Sequence, residues 1–310
     1  MKKKIFIITT ILLLIVLFTI GMMFSIHKNN SPSTLDFSGD RALEDVTFQV
    51  SLGARIPGSQ AHAQVIQWIQ SELIKSGWSV ELQQFSSMGH PLINIIGKSM
   101  HDNDVTVPWI IIGAHYDTRL VADRDSNPQL RTQAGPGAND GASGVAVLLE
   151  LARVISKDLP VNVWLVFFDG EDNGNIVGWD WILGSRGFVE RLVEKPDAVV
   201  ILDMIGDRDL NIYWEKNSDP NLSKEIWDIA KDLDYTSQFI PMSKYRILDD
   251  HIPFLEAAIP SVDIIDFDYP YWHTTTDSID KISAESLDLV GETIHQWLIQ
   301  KKSRIDEPSP

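Results

Sequence analysis

Cysteine is missing from all 310 residues. The chain therefore has no disulfide and no lipid-modified cysteine, and thiol chemistry says nothing about the compartment in which it works. Positive charge is scarce too, with 26 lysines and arginines against 43 aspartates and glutamates, a net charge of −17. Setting aside the four lysines of the first 28 residues leaves 22 basic against 43 acidic residues, a balance of −21. Such a surface repels polyanions, which excludes nucleic acid and anionic lipid as main partners. Internal repeats and long low-complexity tracts are absent as well. What remains is an ordinary globular composition, 44% hydrophobic and 22% charged, long enough for one large catalytic-size domain.

Long apolar runs are also rare, with one exception. After "MKKK", residues Ile5 to Ile26 contain no charged side chain. As a helix rising about 1.5 Å per residue, this segment covers roughly 33 Å, enough for a hydrocarbon core of about 30 Å. It exceeds the apolar core of a cleaved signal peptide, and no clear small-residue cleavage site follows. The expectation is a cytoplasmic tail (1–4), an uncleaved signal anchor (5–26), a polar linker (27–40), a catalytic domain (41–301) and a polar tail (302–310). The three lysines hold the amino terminus inside, so the catalytic domain lies outside the cell membrane, attached through one span.

Within the domain, two periodicities alternate. "SQAHAQVIQWIQSELIKSGW" places Val65, Ile66, Ile69, Leu73 and Ile74 at helical spacing, with Gly77 as a stop. Short runs rich in β-branched and aromatic residues read as strands: "SVELQQF", "LINII", "WIIIGA", "VNVWLVFF", "AVVILDMI" and "SVDIIDF". Helical patterns over 144–156, 181–193, 223–233 and 284–301 separate many of them. This is the pattern of an α/β fold, with a mixed, mostly parallel sheet covered by helices on both faces.

The stretch "VWLVFFDGEDNG" makes the chemical case. Six apolar residues, Val163 to Phe168, run straight into Asp169, Glu171 and Asp172. Like charges crowded at the end of a buried strand are costly unless a cation joins them. Other strands end the same way. "WIIIGA" leads to His115 and Asp117, "AVVIL" to Asp203 and "SVDIIDF" to His273, while Asp140 sits in the glycine-rich turn "GANDGASG" before a helix. In open α/β sheets, ligands bind beyond the carboxyl ends of strands. Any one of these residues alone is more often a cap or turn residue; their conjunction at one edge points to a metal. His115, Asp140, Asp172, Asp203 and His273 form a donor set suited to Zn²⁺, which needs three protein ligands and one open position. Asp117 is placed to orient His115 from behind, and Glu171 is free to act as general base. Asp169 supports the loop. His27, His62, His90, His101 and His295 lack such company and are assigned to surface or packing.

In order, "GARIPGS", "GAHYDTR", "GANDGASGVAVLLELAR", "LVFFDGEDNG", "GSRGF", "LDMIGD", "DDHIPFL" and "WHTTTD" resemble the signature of the zinc aminopeptidase superfamily. The resemblance is closest to its glutaminyl cyclase branch, of animal and bacterial type, and spans Ala42 to Leu298. It implies a central mixed sheet with the site at the strand ends, and one or two zinc ions. Asp140, Asp172 and His273 match the ligands of a cyclase-like site, and His115 and Asp203 complete a second position in an aminopeptidase-like one. Glu171 matches the acid/base glutamate. Asp250 matches an aspartate that joins Asp203 in a hydrogen-bond network near the leaving group, and Trp272 matches an aromatic wall of the substrate pocket. One position departs: Asp172 stands where both branches usually carry glutamate, one methylene longer.

The resemblance implies an enzyme acting on peptide N-termini. As a cyclase it converts N-terminal glutamine to pyroglutamate with release of ammonia; as an aminopeptidase it hydrolyses the first peptide bond. "DDHIPFL", the Trp272-His273 pair and the insertion "NIVGWDWILGSR" favour the cyclase. A non-catalytic ectodomain of the same fold is the remaining alternative, against which the intact ligands and Glu171 speak.

Overall fold

The computed structural model describes residues 36–99, 107–159 and 161–301. The expected cytoplasmic tail, membrane span, most of the linker and the polar tail lie outside the described residues. Among the described residues, no helix is long and apolar enough to cross a membrane.

The first element is helix α1 (Gly39–Ser51), which begins inside the stretch expected to be a linker. Ser38 caps it by accepting from the Arg41 amide, and Phe37 packs against the core beside Gly291. Helix α2 (Gln60–Lys75) follows, capped by Ser59. Strands β1 (Ser79–Ser87) and β2 (His90–Lys98) form an antiparallel hairpin, turning at Met88 and Gly89, both at positive φ. β3 (Trp109–His115), α3 (Ala142–Val154) and β4 (Asn162–Phe168) come next. Then follow α4 (Leu183–Val189), β5 (Ala198–Asp203), β6 (Ile212–Trp214) and α5 (Pro220–Asp232). β7 (Phe239–Ser243), α6 (Ile252–Glu256), β8 (Ser261–Ile265), a 3-10 turn (Ile279–Lys281) and α7 (Ala284–Ile299) complete the chain.

Six strands make one mixed sheet in the order β1-β2-β4-β3-β5-β8. β2 runs antiparallel to β4, while β4, β3, β5 and β8 are mutually parallel. Buried on both faces, these four strands have no polar alternation, which is why they read as continuous apolar runs. One face carries the larger layer, with α3 at its centre against α1, α2 and α7; its side chains are buried nearly all round. The other face holds Phe188 of α4 and Phe254 of α6, packed on Phe168 of β4. The sheet flanked by helices is thus as the sequence implied.

Two differences bear on the site. The helix expected over 181–193 is only Leu183–Val189. Ile182 sits in the left-handed region at φ 54°, where no helix continues, and residues 171–182 instead form a loop over the strand ends. The short pair β6/β7 and helix α6 had no periodicity long enough to be seen.

Candidate metal centre and active-site cleft

Register determines what meets at the sheet's carboxyl edge. His115 pairs with Phe168 and Asp203 with Ile265, so β3, β4, β5 and β8 end nearly flush. Everything that follows them lies at one edge. Asp140 is brought there by the turn before α3. At Gly141, φ is 91° and an added Cβ would meet the Asp117 carbonyl at 2.6 Å and the His115 ring at 3.1 Å. Only glycine lets that turn pass so close to the end of β3.

The candidate residues converge into two donor sets that share Asp140. His115, Asp140 and Asp203 form one; Asp140, Asp172 and His273 form the other; within each, one donor atom per residue lies within 4.8 Å of the rest. His115 Nε2 is 3.3 Å from Asp140 Oδ1 and 3.2 Å from Asp203 Oδ1. His273 Nε2 is 2.7 Å from Asp172 Oδ1 and 3.7 Å from Asp140 Oδ2. Tetrahedral zinc with bonds of about 2.0–2.1 Å places its ligand atoms roughly 3.3 Å apart. In the first set the two histidine-carboxylate distances meet that spacing, and in the second they bracket it.

The electrostatics ask for a cation. Burial, then Asp140, pushes the Asp172 carboxyl up to about 6, against the pull of His273. Asp203 is raised mainly by burial. Burial pulls the His115 imidazole down, but hydrogen bonds to Asp117, Asp140 and Asp203 outweigh it and hold the ring well above its ordinary value. Glu171, buried at the same edge, is raised well above the usual carboxylate range by burial first and by Asp249, Asp172 and Asp250 besides. Asp140 is the exception: against burial, the His115 hydrogen bond and the charge of His273 hold its carboxyl below the ordinary value. Three carboxyls that resist ionisation beside two imidazoles that resist neutrality make an acid-rich pocket.

A second ring of contacts fixes the donors. Asp117 Oδ1 accepts from the Glu171 amide at 3.0 Å, its Oδ2 lies 3.4 Å from the Asp172 amide, and the carboxylate stands 3.5 Å from His115 Nδ1. It touches both the imidazole and the acidic loop. Asp169 holds that loop's start, with His62 Nε2 at 2.8 Å and the Ile93 amide at 2.8 Å. His62 therefore does have acidic company: it is buried, stacked on Tyr116 and paired to Asp169. Met204, directly after Asp203, and His273 both adopt positive φ, 47° and 56°. Strain of this kind costs about 1–3 kcal/mol per residue and persists only where the surroundings impose it.

Several residues were not singled out from the sequence. Arg119, in "GAHYDTR", donates to the Asp172 carbonyl at 3.0 Å and the Gly174 carbonyl at 3.1 Å, and is held by Asp123. Asp277, four residues after His273, accepts from the Asn139 and Asp140 amides at 2.9 and 3.1 Å and from the Tyr269 hydroxyl at 2.6 Å. Arg55, fully buried, donates to the carbonyls of Tyr116, Pro136 and Gly137. Each side chain fastens a ligand-bearing loop; Arg119 and Asp277 lie in quoted motifs beside residues whose roles were easier to read, while Arg55 lies in "GARIPGS", to which the resemblance assigns no role.

Above the donors opens a cleft of about 250 Å³. Asp140, Glu171, Asp172, Asp203 and His273 lie in it, and Trp181, Trp272, Phe267 and Ile265 supply apolar wall. Trp181 lies nearly parallel to the His273 ring, 13° between planes. Asp249 lines this cleft; Asp250, the residue matched from the resemblance, is fully buried beside it, close enough to raise Glu171. Behind them, His251 stands 3.2 Å from Glu215 and 3.8 Å from Asp263, a buried group that the motif "DDHIPFL" did not explain.

A mixed α/β sheet with paired histidine-carboxylate donor sets at its carboxyl edge is the architecture of a metal-dependent enzyme of carbonyl chemistry. The chain belongs to peptidase family M28, whose profile matches residues 94–298. It is similar to the glutaminyl-peptide cyclotransferase of Boiga irregularis, 26% identical, over 79% of this chain and 77% of that protein. Among solved structures, the glutaminyl cyclase of Porphyromonas gingivalis is 35% identical with a TM-score of 0.79, covering 84% of this chain and 98% of that one. A Zn-dependent exopeptidase from Parabacteroides distasonis is 29% identical with a TM-score of 0.80, covering 87% and 100%. With such relatives the chain is an enzyme, of the cyclotransferase or the metallo-exopeptidase kind, and the donor chemistry suits zinc.

Proposed function

We propose that this protein is a zinc-dependent glutaminyl-peptide cyclotransferase, held at the outer face of the cell membrane by residues 5–26. One observation carries the catalytic reading. Buried Glu171, its proton affinity raised, sits in a cleft walled by Trp181, Trp272 and Phe267, directly beside the Asp140, Asp172 and His273 donors.

Asp140, Asp172 and His273 would hold the ion. Zinc bound there would polarise the γ-carboxamide oxygen of an N-terminal glutamine. The substrate's own α-amino nitrogen then attacks the carbonyl carbon of that carboxamide, Cδ; the new N–C bond closes the five-membered ring and the Cδ–NH₂ bond breaks. Glu171 takes a proton from the attacking amine and delivers it to the departing nitrogen, which leaves as ammonia. A group that both accepts and returns a proton works best with a pKa near the operating pH, the direction in which burial moves Glu171. Trp181 and Trp272 enclose the ring as it closes, and no water is consumed.

A second reading is favoured by the other donor set. His115, Asp140 and Asp203 provide a second metal position of the co-catalytic type, and there Glu171 would activate water for hydrolysis of the first peptide bond. The test is to give the full-length protein a glutaminyl and a leucyl peptide side by side. Ammonia release with the peptide otherwise intact is expected. Release of free leucine without ammonia would overturn the cyclase assignment in favour of the hydrolase.

A further inference from the structure

The chain carries 26 basic and 43 acidic residues. Around the cleft, Lys244 is paired to Asp268 and Arg119 to Asp123. Two exposed arginines there differ. Arg246 forms part of the cleft wall and its guanidinium donates to the Asn217 side-chain oxygen; no carboxylate partners it among the described residues. Arg124 lies over Trp272, its guanidinium carbon 3.6 Å from the ring centroid, and its amide donates to the His273 carbonyl at 3.2 Å. It too has no carboxylate partner among the described residues. Stacking on Trp272 spreads the guanidinium flat while leaving its N–H edge open, the geometry in which arginine binds a carboxylate by two parallel hydrogen bonds.

The cleft is thus divided by charge. Its floor is acidic, suited to the ammonium or amine of a peptide N-terminus, while its wall and rim carry unmatched guanidinium groups. A substrate whose first residue sits on the floor extends outward by about 3.5 Å per residue. We propose that Arg246 and Arg124 form a specificity element that selects peptides with aspartate or glutamate one or two residues after the N-terminal residue. This rests on the reading that the cleft receives peptide N-termini, and holds for either reaction there.

The test uses the full-length protein and two peptide series, one begun with glutamine and one with leucine, each carrying Glu, Ala or Lys at the second position and again at the third. In whichever series turns over, kcat/KM for Glu exceeds that for Lys about tenfold at moderate salt, mainly through KM. Arg246→Glu should bring the ratio to one or below, and Arg124→Gln should reduce it. A ratio cancels any loss of folded protein, since that lowers both rates alike. Equal wild-type rates on acidic and basic peptides, or a ratio untouched in both variants, would overturn this specificity while leaving the activity in place. Failure of every peptide to turn over would overturn the underlying reading of the cleft instead.

Discussion

Helix α3 has a cluster of buried acid at each end, and the two clusters are built on opposite principles. Near its carboxyl end, Glu150, Asp45 and Glu72 are met by Arg153, and Glu150 also by Arg41. The arginine in the last turn also faces the negative end of the helix dipole. At the amino end, among the described residues, Asp140, Asp172, Asp203 and Glu171 meet two imidazoles, the flank of Arg119 and the more distant charge of Arg55, whose hydrogen bonds go to backbone carbonyls. Where arginine matches acid, the cluster is complete as folded and serves stability. Where acid outruns cation and the donors converge, the missing charge is the site's purpose.

The comparison breaks most visibly at the amino end. Chelation should abolish activity and zinc restore it, with at least one zinc per chain by elemental analysis; His273→Ala should lose metal. Full turnover in a metal-free preparation would remove the distinction altogether. Glu171→Gln should lower kcat by about 10²–10⁴-fold while zinc stays bound. Asp172→Ala should lose both rate and metal, with partial rescue by excess zinc, so the adjacent carboxylates differ in kind. Normal turnover in a zinc-loaded Glu171→Gln protein would take Glu171 out of the reaction.

At the carboxyl end the expected loss is in stability. Arg153→Met strands Asp45 in the interior, leaves Glu150 to Arg41 alone, and should lower unfolding free energy by about 3 kcal/mol in urea titrations, leaving kcat unchanged. A change in zinc content there would mean that the two ends are not independent. Asp117→Asn tests the ring around the donors and should weaken zinc about 10–100-fold by competition with a chelator. The smallest effect concerns an acid matched by neither cation nor metal. Asp266 accepts the amides of Asn211 and Asp268, and burial pushes its carboxyl from 3.8 up to about 7. A carboxyl raised in the folded state contributes stability that is complete below about pH 4 and fades as pH rises toward 7. Asp266→Asn should therefore flatten the dependence of Tm on pH across that window, and an unchanged slope would refute it.

Much of this was legible because the sheet enforces it. His115, Asp203 and the Asp172 loop directly follow runs that can only be interior strands, so their meeting place follows from topology alone. The fasteners were not legible in the same way. Asp277 acts through the amides of Asn139 and Asp140, and Arg119 through the carbonyls of Asp172 and Gly174; backbone partners across the fold leave no mark on spacing. The loop 171–182 was misread as helical near its end because Trp181, Phe188 and Leu192 are apolar at helical intervals, although Trp181 faces the cleft and Ile182 is left-handed. Asp249 differs from Asp250 in the cleft by one position, a distinction that side-chain direction makes and sequence order does not.

The clamp of Asp277 on the Asp140 turn also sets an order of assembly. During synthesis His115, Asp140, Asp172 and Asp203 leave the ribosome first, while His273 and Asp277 follow later. Until that last loop docks, the Asp140 turn lacks one of its two anchors and one donor set lacks its histidine. If the Asp140, Asp172 and His273 set holds the ion as proposed, a truncated or stalled chain lacks it, and capture of metal there would mark a chain whose last loop has closed over the sheet.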